Sequence, residues 1–257
     1  MISAAEVQHS LKTKFLGQTI HTFEVVDSTN TVAKKLAETG APEGTIVVAE
    51  YQTAGRGRYN RKWYGERGKN ILLSLVLRPL GSELTRLLTY LTAVCAAEVA
   101  EDRTKKRVKY KWPNDLLLNG KKFCGILLEC SWQESTPEYV IVGLGMNVNQ
   151  ENFPNEVRST ATSLKIECGR EVDRVGIIRS FLQHLETRYL QSRVKGYGSV
   201  LAAWETRCSM FGKEITIDRS GEVLTGRAIR LDSDGALVIK NHRREIRIFA
   251  GDVTVLS

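Results

Sequence analysis

Apolar and polar positions alternate, or run in unbroken apolar stretches, through much of the first 150 residues. This pattern predicts strands. They fall at 19–26 (TIHTFEVV), 45–50 (TIVVAE), 70–78 (NILLSLVLR) and 139–149 (YVIVGLGMNVN). Between LLL and KKFCGILLE, Asn119 and Gly120 give the strongest hairpin signal in the chain. We therefore expect a sheet in this part of the protein.

Helical spacing of apolar residues predicts helices around these strands. The first covers 2–16, with Gly17 as its stop, and the second begins at Asp27 or Ser28 and ends near Gly40. A long helix is expected from about 83 to 102. Two more follow at 174–192 and 198–208.

The pattern changes after Phe211, where short alternating runs follow one another closely. EITID, EVLTGRAIRL, ALVIK, REIRIF and VTVL predict five strands within fewer than 50 residues. Such a series is typical of a small β-barrel. We expect an α+β protein with a first domain over 1–209 and a small β domain over 210–257.

Composition and charge narrow the class of protein. The 257 residues are 42% hydrophobic, which suffices for a large domain and a small one, and no run approaches a membrane span. The first residues lack the features of a signal peptide. Five widely spaced cysteines without a C-x-x-C motif indicate reduced thiols, not a zinc site, and a cytoplasmic protein. The net charge of +8 suits nucleic acids and small polyanions equally.

A basic loop, QTAGRGRYNRKW at 52–63, carries four cations between Arg56 and Lys62 and no acid. Such a loop is either simply solvated or holds an anion. Gly55 and Gly57 would let backbone N–H groups approach an anion, and the arginines offer forked donors for phosphate or carboxylate. Trp63 offers a flat face for a heterocycle or anchors the loop in the core.

Two further stretches carry polar groups that could bind a ligand. In VKYKWPNDLLLNGKKFCGILLE, Lys111, Asn114 and Asp115 lie near a strand end, with Lys122 beyond the hairpin. Ordinary turn chemistry and a solvated lysine also explain this stretch. In VVDSTN, the residues at 28–30 either cap a helix or meet a polar ligand.

Common nucleotide and hydrolase motifs are missing. The sequence has no G-x-x-x-x-G-K-[ST] phosphate loop and no G-x-S-x-G nucleophile elbow. Gly143 and Gly145 follow a strand, but Val148 occupies the place of the third glycine of a dinucleotide-binding fingerprint.

Taken together, these stretches resemble the biotin protein ligase family. VVDSTN, AEYQTAGRGRYNRKW, KWPNDLLLNGKKFCGILLE and VGLGMNVN occur in the order and spacing of that family, from about residue 20 to 150. The resemblance implies a mixed central sheet with helices, similar to class II aminoacyl-tRNA synthetases, and a C-terminal SH3-like β-barrel.

The resemblance also implies roles for individual residues. Those implied to bind biotin are Ser28, Thr29, Asn30, Gln52, Gly55, Arg56, Gly57, Arg58, Lys122, Gly125, Ile126, Gly143 and Gly145. Those implied to bind ATP are Arg58, Arg61, Trp63, Lys111, Asn114, Lys122 and Asn147. Those implied to take part in catalysis are Lys122, Arg58, Asp115 and Lys111, of which Lys122 should reach both the biotin carboxyl and the α-phosphate.

The implied reaction has two steps. Biotin and ATP give biotinyl-5′-AMP and pyrophosphate, and a lysine of a biotin carboxyl carrier protein then takes the biotinyl group. Mg²⁺ is expected with ATP, with no ligands assigned, and no tightly bound prosthetic group is expected. Because only 26 residues precede Asp27, the resemblance is to the monofunctional type without a winged helix. We expect no sequence-specific nucleic-acid binding and allow for a homodimer.

Two rival functions remain open to comparison. A lipoate ligase or transferase would share the fold and the adenylate chemistry, but its Arg-Arg and Gly-Gly-Gly signatures are missing here. A basic nucleic-acid-binding module would need cations interleaved with stacking aromatic residues. The C-terminal module offers only Phe211 and Phe249.

Overall fold

A seven-stranded mixed sheet forms the centre of the computed structural model, which describes residues 1–78, 82–134, 136–219, 221–242 and 244–256. Its strands are β1 (Ile20–Val26), β2 (Ile46–Gln52), β3 (Ile71–Leu77), β4 (Lys109–Lys111), β5 (Asp115–Leu118), β6 (Lys121–Gln133) and β7 (Thr136–Met146). They lie in the order β1-β2-β3-β7-β6-β5-β4. The β1–β2 pair is parallel and the other pairs are antiparallel. The predicted mixed sheet is confirmed.

Helices cover both faces of this sheet. The described helices are α1 (Ala4–Gln8), α2 (Thr29–Glu38), α3 (Ser82–Thr104), α4 (Asn155–Arg158), α5 (Leu164–Cys168), α6 (Arg174–Lys195) and α7 (Gly198–Glu205). The larger core lies between one face and α3 and α6, and it includes Leu73 and Leu75 of β3. On the opposite face, α2 packs with Ala33 and Ala37 against Val76. Side chains alternate across a strand, so Ser74 faces the same side as α2.

The predicted hairpin is present. Asn119 has a φ of 48° and Gly120 a φ of 78°, the left-handed pair that a tight two-residue hairpin turn requires. This turn joins β5 to β6 and fixes the start of β6. Lys121 and Lys122 are therefore the first residues of the returning strand.

The first predicted helix is wrong over most of its length, because only Ala4–Gln8 is helical. Beyond it, Ser10 has a φ of 64°, which a continuing helix does not allow. The backbone N–H groups of Lys14, Phe15 and Leu16 instead donate to the buried carboxylate of Glu186 on α6. The helical spacing of apolar residues therefore extends into a non-helical segment, whose backbone is hydrogen-bonded to Glu186.

A second sheet contains the C-terminal strands β8 (Glu214–Arg219), β9 (Glu222–Leu231), β10 (Leu237–Asn241), β11 (Arg244–Ile248) and β12 (Asp252–Val255). It is antiparallel throughout, in the order β11-β10-β9-β8-β12. The five predicted strands are confirmed, and the sheet is compatible with an SH3-like domain. Within the described part of the chain, no ladder joins β11 to β12.

Hydrogen bonds attach this second sheet to the first part of the chain. The Tyr90 hydroxyl donates to the backbone oxygen of Gly235 over 2.6 Å and accepts from the Trp112 indole over 2.9 Å. The backbone N–H of Leu231 donates to Glu205 over 2.8 Å. Searched over its described residues, the chain has no helix with the length and apolar character needed to cross a bilayer.

Candidate active site

Most of the residues that the sequence singles out line one cavity of about 220 Å³. It lies on the α2 side of the central sheet, between the start of α2 and the basic loop. The predicted residues that line it are Ser28, Thr29, Asn30, Gln52, Arg56, Gly57, Arg58, Arg61, Trp63, Asn114, Asp115, Lys122, Gly125, Ile126, Gly143 and Gly145. The structure therefore brings together stretches that lie up to 117 positions apart in the sequence (28 to 145).

The cavity floor is a buried network of neutral polar groups. The Thr29 backbone N–H and hydroxyl both donate to the Gln52 side-chain oxygen, over 2.7 and 3.0 Å. Ser74, which is fully buried, donates its hydroxyl to Asn30 Oδ1 over 2.6 Å and lies 2.7 Å from the Thr29 hydroxyl. The network joins β2, α2 and β3, and it fixes the side chains before any ligand arrives.

Ser28 occupies the N-cap position of α2, but its side chain makes no capping hydrogen bond. The capping explanation of VVDSTN therefore does not account for this buried hydroxyl, which lies at the cavity wall.

Glu129 of β6 connects this floor to the basic loop. Its carboxylate accepts from Asn30 Nδ2 over 2.6 Å and lies 3.3 Å from Arg56 Nη2. Because Asn30 gives its oxygen to Ser74 and its nitrogen to Glu129, the orientation of its amide is fixed. Glu129 lies within the recognised motif, but nothing in the sequence singled it out.

Three glycines of the floor leave room for close approaches. A Cβ on Gly143 would lie 2.3 Å from Asn30 Oδ1, and one on Gly145 would lie 2.7 Å from the Trp63 ring. A Cβ on Gly125 would lie 3.1 Å from both Lys122 and Trp63. The glycines thus let the Trp63 indole lie flat on the sheet inside the cavity. The sequence allows two interpretations of Trp63, either as an anchor of the loop or as a face for a ligand. In the structure it packs against the glycines of the sheet and also lines the cavity.

Lys122 is held by its backbone and by its side chain. Its N–H donates to Thr160 over 2.7 Å and its oxygen accepts from Thr162 over 2.9 Å. Its Nζ lies 2.6 Å from Asp115 Oδ1 and 5.5 Å from the centre of the Trp63 ring. Lys122 is therefore a cation at the cavity wall that is positioned by Asp115, although its side chain is 36% exposed.

The cationic lip of the cavity, which we define as Arg56, Arg58 and Arg61, has acidic partners from distant elements. Arg56 meets Glu129, as above. Arg58 and Arg61 both meet Asp252, the first residue of β12, which also lines the cavity. The loop has no acid of its own, so its charges are balanced by carboxylates that lie 73 and 191 positions away along the chain.

Three predicted residues lie outside the cavity wall. Lys111 is exposed on β4, paired in register with Asp115. Asn147 is buried and donates to the Thr162 oxygen over 3.1 Å, while its own side-chain oxygen has no hydrogen-bond partner among the described residues. Gly55 lies beneath the loop, where its oxygen accepts from the Trp63 N–H over 2.9 Å. Gly55 and Asn147 thus shape the surroundings of the cavity.

Two further observations concern a buried thiol near the cavity and the residue types that ligate metals. Burial raises the pKa of the Cys124 thiol well above its ordinary value, so this cysteine beside Gly125 supplies no thiolate at neutral pH. No group of three or more His, Cys, Asp or Glu side chains with metal-binding geometry occurs in the part of the chain that the structure describes.

Comparison with known proteins identifies the family of this chain. Residues 22–147 match the model of the biotin/lipoate A/B protein ligase family. The chain is 36% identical over 255 residues to the bifunctional ligase/repressor BirA of Bacillus subtilis, covering 98% of this chain and 78% of that protein. The chain belongs to the biotin/lipoate A/B protein ligase family.

Other relatives include the biotin–[acetyl-CoA-carboxylase] ligase of Mycobacterium tuberculosis. It is 31% identical, and the match covers 89% of this chain and 86% of that enzyme. Among solved structures, the biotin protein ligase of Aquifex aeolicus in complex with biotin and ATP superposes with a TM-score of 0.79 at 28% identity. That superposition covers 93% of this chain and 99% of the other.

Proposed function

We propose that this protein is a biotin protein ligase, which activates biotin with ATP and transfers the biotinyl group to a lysine of a biotin carboxyl carrier protein. The observation that carries the proposal is one cavity with two unlike ends. A neutral, hydrogen-bonded floor adjoins a cationic lip, in a family whose relatives are named as ligases for biotin. One end suits an uncharged ring and the other suits phosphates.

The neutral end is the site for the fused rings of biotin. The ureido group has one carbonyl acceptor and two N–H donors, and such groups bind best to polar side chains that are already oriented. Ser28, Thr29 and Gln52 offer hydroxyl and amide groups there. We assign the adjacent glycine floor at Gly125 and Gly145, beside Trp63, to the biotin side chain.

The cationic end is the site of adenylation. A carboxylate that approaches the α-phosphate meets like charge, and the transition state carries more charge than a single neutral group could stabilise. We assign Lys122 to both anions and Arg58 and Arg61 to the phosphates. ATP enters with its Mg²⁺ as substrate, and Asn114 and Trp63 line the space left for the nucleotide.

The second step consumes the adenylate at the same place. The neutral ε-amine of the carrier lysine attacks the acyl carbon of the mixed anhydride, and the amide C–N bond forms as the nitrogen loses a proton. The acyl C–O bond breaks, and AMP leaves with its electron pair on the phosphate oxygen. Closure of the basic loop over the anhydride keeps water from hydrolysing it. We assign this chemistry to a catalytic domain over 1–209 and propose that 210–257 is a separate C-terminal domain.

Biotin-dependent exchange between ATP and labelled pyrophosphate tests the first step. Transfer to a biotin carboxyl carrier domain, followed by mass spectrometry, tests the second. We expect exchange with biotin and none above background with lipoate, because the lipoate signatures are missing. Exchange supported by lipoate alone, or by neither acid, would contradict the proposal.

A further inference from the structure

Asp252 of the C-terminal sheet is the only acid among the described residues that pairs with both Arg58 and Arg61. Its Oδ1 lies 3.6 Å from Arg58 Nη1, and its Oδ2 pairs with Arg61 Nη2. Arg58 also donates to the backbone oxygen of Gly251 over 3.1 Å. Two guanidinium groups of the basic loop are thus fastened to two consecutive residues of another sheet.

The sheet holds this attachment point in a fixed place. Gly251 has a φ of 152°, and a Cβ there would lie 2.4 Å from Ile217 Cγ2, so the chain passes β8 at a distance that only glycine allows. The next residues pair with β8 in register, Asp252 with Asp218 and Val253 with Ile217. Val253 and Ile217 are buried. The Asp252 carboxylate therefore belongs to a packed element, whereas Arg58 and Arg61 lie in a loop whose described regular structure is a 3-10 turn at Arg58–Asn60 and an isolated bridge between Arg56 and Lys62.

Two neighbouring guanidinium groups repel each other, and among the described residues Asp252 is the acid that both of them share. The repulsion falls when a carboxylate lies between them. The side chain of Arg61 is 68% exposed and that of Arg58 is 21% exposed, so without Asp252 both have solvent into which they can turn. A group that keeps both side chains from turning into solvent preorganises the lip for phosphate. Charged donors stabilise a transition state most when they are preorganised in this way.

We propose that Asp252 is a positioning residue for adenylation, through which the C-terminal sheet holds Arg58 and Arg61 at the lip of the cavity. It acts on the phosphate end only. It has no contact with the neutral floor formed by Thr29, Gln52 and Ser74. The kinetic part of this inference rests on the proposed function.

The test compares Asp252→Asn with Asp218→Asn. Asp218 is the exposed cross-strand neighbour of Asp252, so its substitution removes the same charge from the same sheet without touching the basic loop. In the ligand-free protein, amides at 56–63 should exchange with deuterium at least fivefold faster in Asp252→Asn than in Asp218→Asn. This measurement does not depend on activity.

Single-turnover adenylation should fall about tenfold or more in Asp252→Asn, while the Kd for biotin stays within twofold. Asp252→Glu keeps the charge and should recover most of both effects. A purely structural role would lower the melting temperature and weaken biotin binding together, without rescue by Glu. If Asp252→Asn fails to melt cooperatively, Asp252→Ser is compared with Asp218→Ser in the same assays, and the same two losses are expected.

Adenylation by Asp252→Asn within twofold of that by Asp218→Asn would overturn the proposal, as would an unchanged exchange rate in the loop. If the unsubstituted protein forms no adenylate from biotin, the proposed function has failed instead. The exchange measurement then still decides whether Asp252 holds the loop.

Discussion

The floor and the lip of the cavity are built in different ways, although Gln52 of the floor and Arg56 of the lip are close together in the sequence. At the floor, hydroxyls and amides from β2, α2 and β3 satisfy one another inside the sheet–helix core, and Ser74 lies at their centre. At the lip, charged side chains of an irregular loop depend on acids from other elements. The floor is a preformed neutral network, whereas the lip is a set of partly exposed ion pairs between distant elements.

This difference matches the chemistry of the two ligands. Displacing a buried neutral network would leave unpaired polar groups, so the floor must stay as it is when the biotin ring arrives. A guanidinium group has five N–H donors, so an arginine of the lip can bind a phosphate while it keeps its carboxylate partner. The arginines therefore have an anionic partner before and after a polyanion arrives, and this explains how a folded protein tolerates them on one loop.

The largest expected effect is on the free energy of unfolding. It concerns a buried ion pair between Glu50 and Arg174, on the strand that leads into the basic loop. Glu50 of β2 is 5% exposed, and it accepts from Arg174 over 2.7 Å and from the Ile2 N–H over 2.5 Å. Glu50→Gln leaves Arg174 without its charged partner and should lower the free energy of unfolding by about 3–5 kcal/mol. Urea unfolding at pH 7 measures this loss.

The same residue predicts a dependence on pH. Burial alone would raise the pKa of Glu50, but hydrogen bonds from Arg174 and Ile2 outweigh it and hold the pKa below its ordinary value. Its ionisation therefore stabilises the fold fully above the unfolded-state pKa of about 4.3 and is lost as pH falls through the lower folded value. Glu24→Gln is the control, because Glu24 pairs with Arg67 at the surface and should contribute under about 1 kcal/mol. Equal losses of unfolding free energy in Glu50→Gln and Glu24→Gln would contradict a special role for the buried pair.

Lys122→Gln tests the one cation of the site that is fixed by a strand. By analogy with the loss of one preorganised donor, single-turnover adenylation should fall by about 10²–10³, or about 3–4 kcal/mol. The pair with Asp115 is partly exposed, so unfolding should lose no more than about 1 kcal/mol. Lys121→Gln removes the neighbouring exposed charge and should change neither quantity. A rate loss below about threefold would remove Lys122 from the reaction.

Local pattern was sufficient to predict the elements that position the site. The apolar runs around Ser74 and Gly143 became β3 and β7, and the Asn119-Gly120 turn placed Lys122, because period and turn chemistry are local properties. The segment after Gln8 was predicted as helix because its apolar spacing looks the same whether a helix or a distant carboxylate holds it. The short helices α4 and α5 had no periodic signal long enough to detect.

Contacts between distant residues carried no such signal. The sequence motifs identified the cations of the lip but not their partners, since Asp252 is 191 positions from Arg61 and lies in a run that reads as an ordinary strand. The role of Ser74 could not be predicted for the same reason. A serine within an apolar strand looks like a polar interruption, and its partner Asn30 is known only from the fold. Charge balance and polar satisfaction are properties of the folded chain.

Ser74→Ala tests whether the floor is as preformed as its contacts indicate. The substitution removes the donor to Asn30 Oδ1 in a fully buried place, which should cost about 1–3 kcal/mol. The Kd for biotin should rise by about tenfold, while the KM for ATP should stay within twofold because the lip is untouched. Ser192→Ala removes a buried hydroxyl from α6, far from the cavity, and should leave biotin binding unchanged. An unaltered Kd in Ser74→Ala would mean that the network serves folding alone.

Asp115→Asn is expected to have the smallest effect and bears on how Lys122 is held at the border between floor and lip. A carboxylate at this strand end could orient or deprotonate the carrier lysine, and in that case transfer would slow more than adenylation. Because Asp115 lies 2.6 Å from Lys122 Nζ, we now expect it to act through that lysine in both steps. Both single-turnover rates should fall by about tenfold, or about 1.4 kcal/mol. Asp102→Asn, which removes an exposed charge at the end of α3, should alter neither rate. A loss confined to transfer from preformed biotinyl-AMP would instead assign Asp115 to proton transfer from the acceptor amine, and the pH dependence of that step would then shift in the variant.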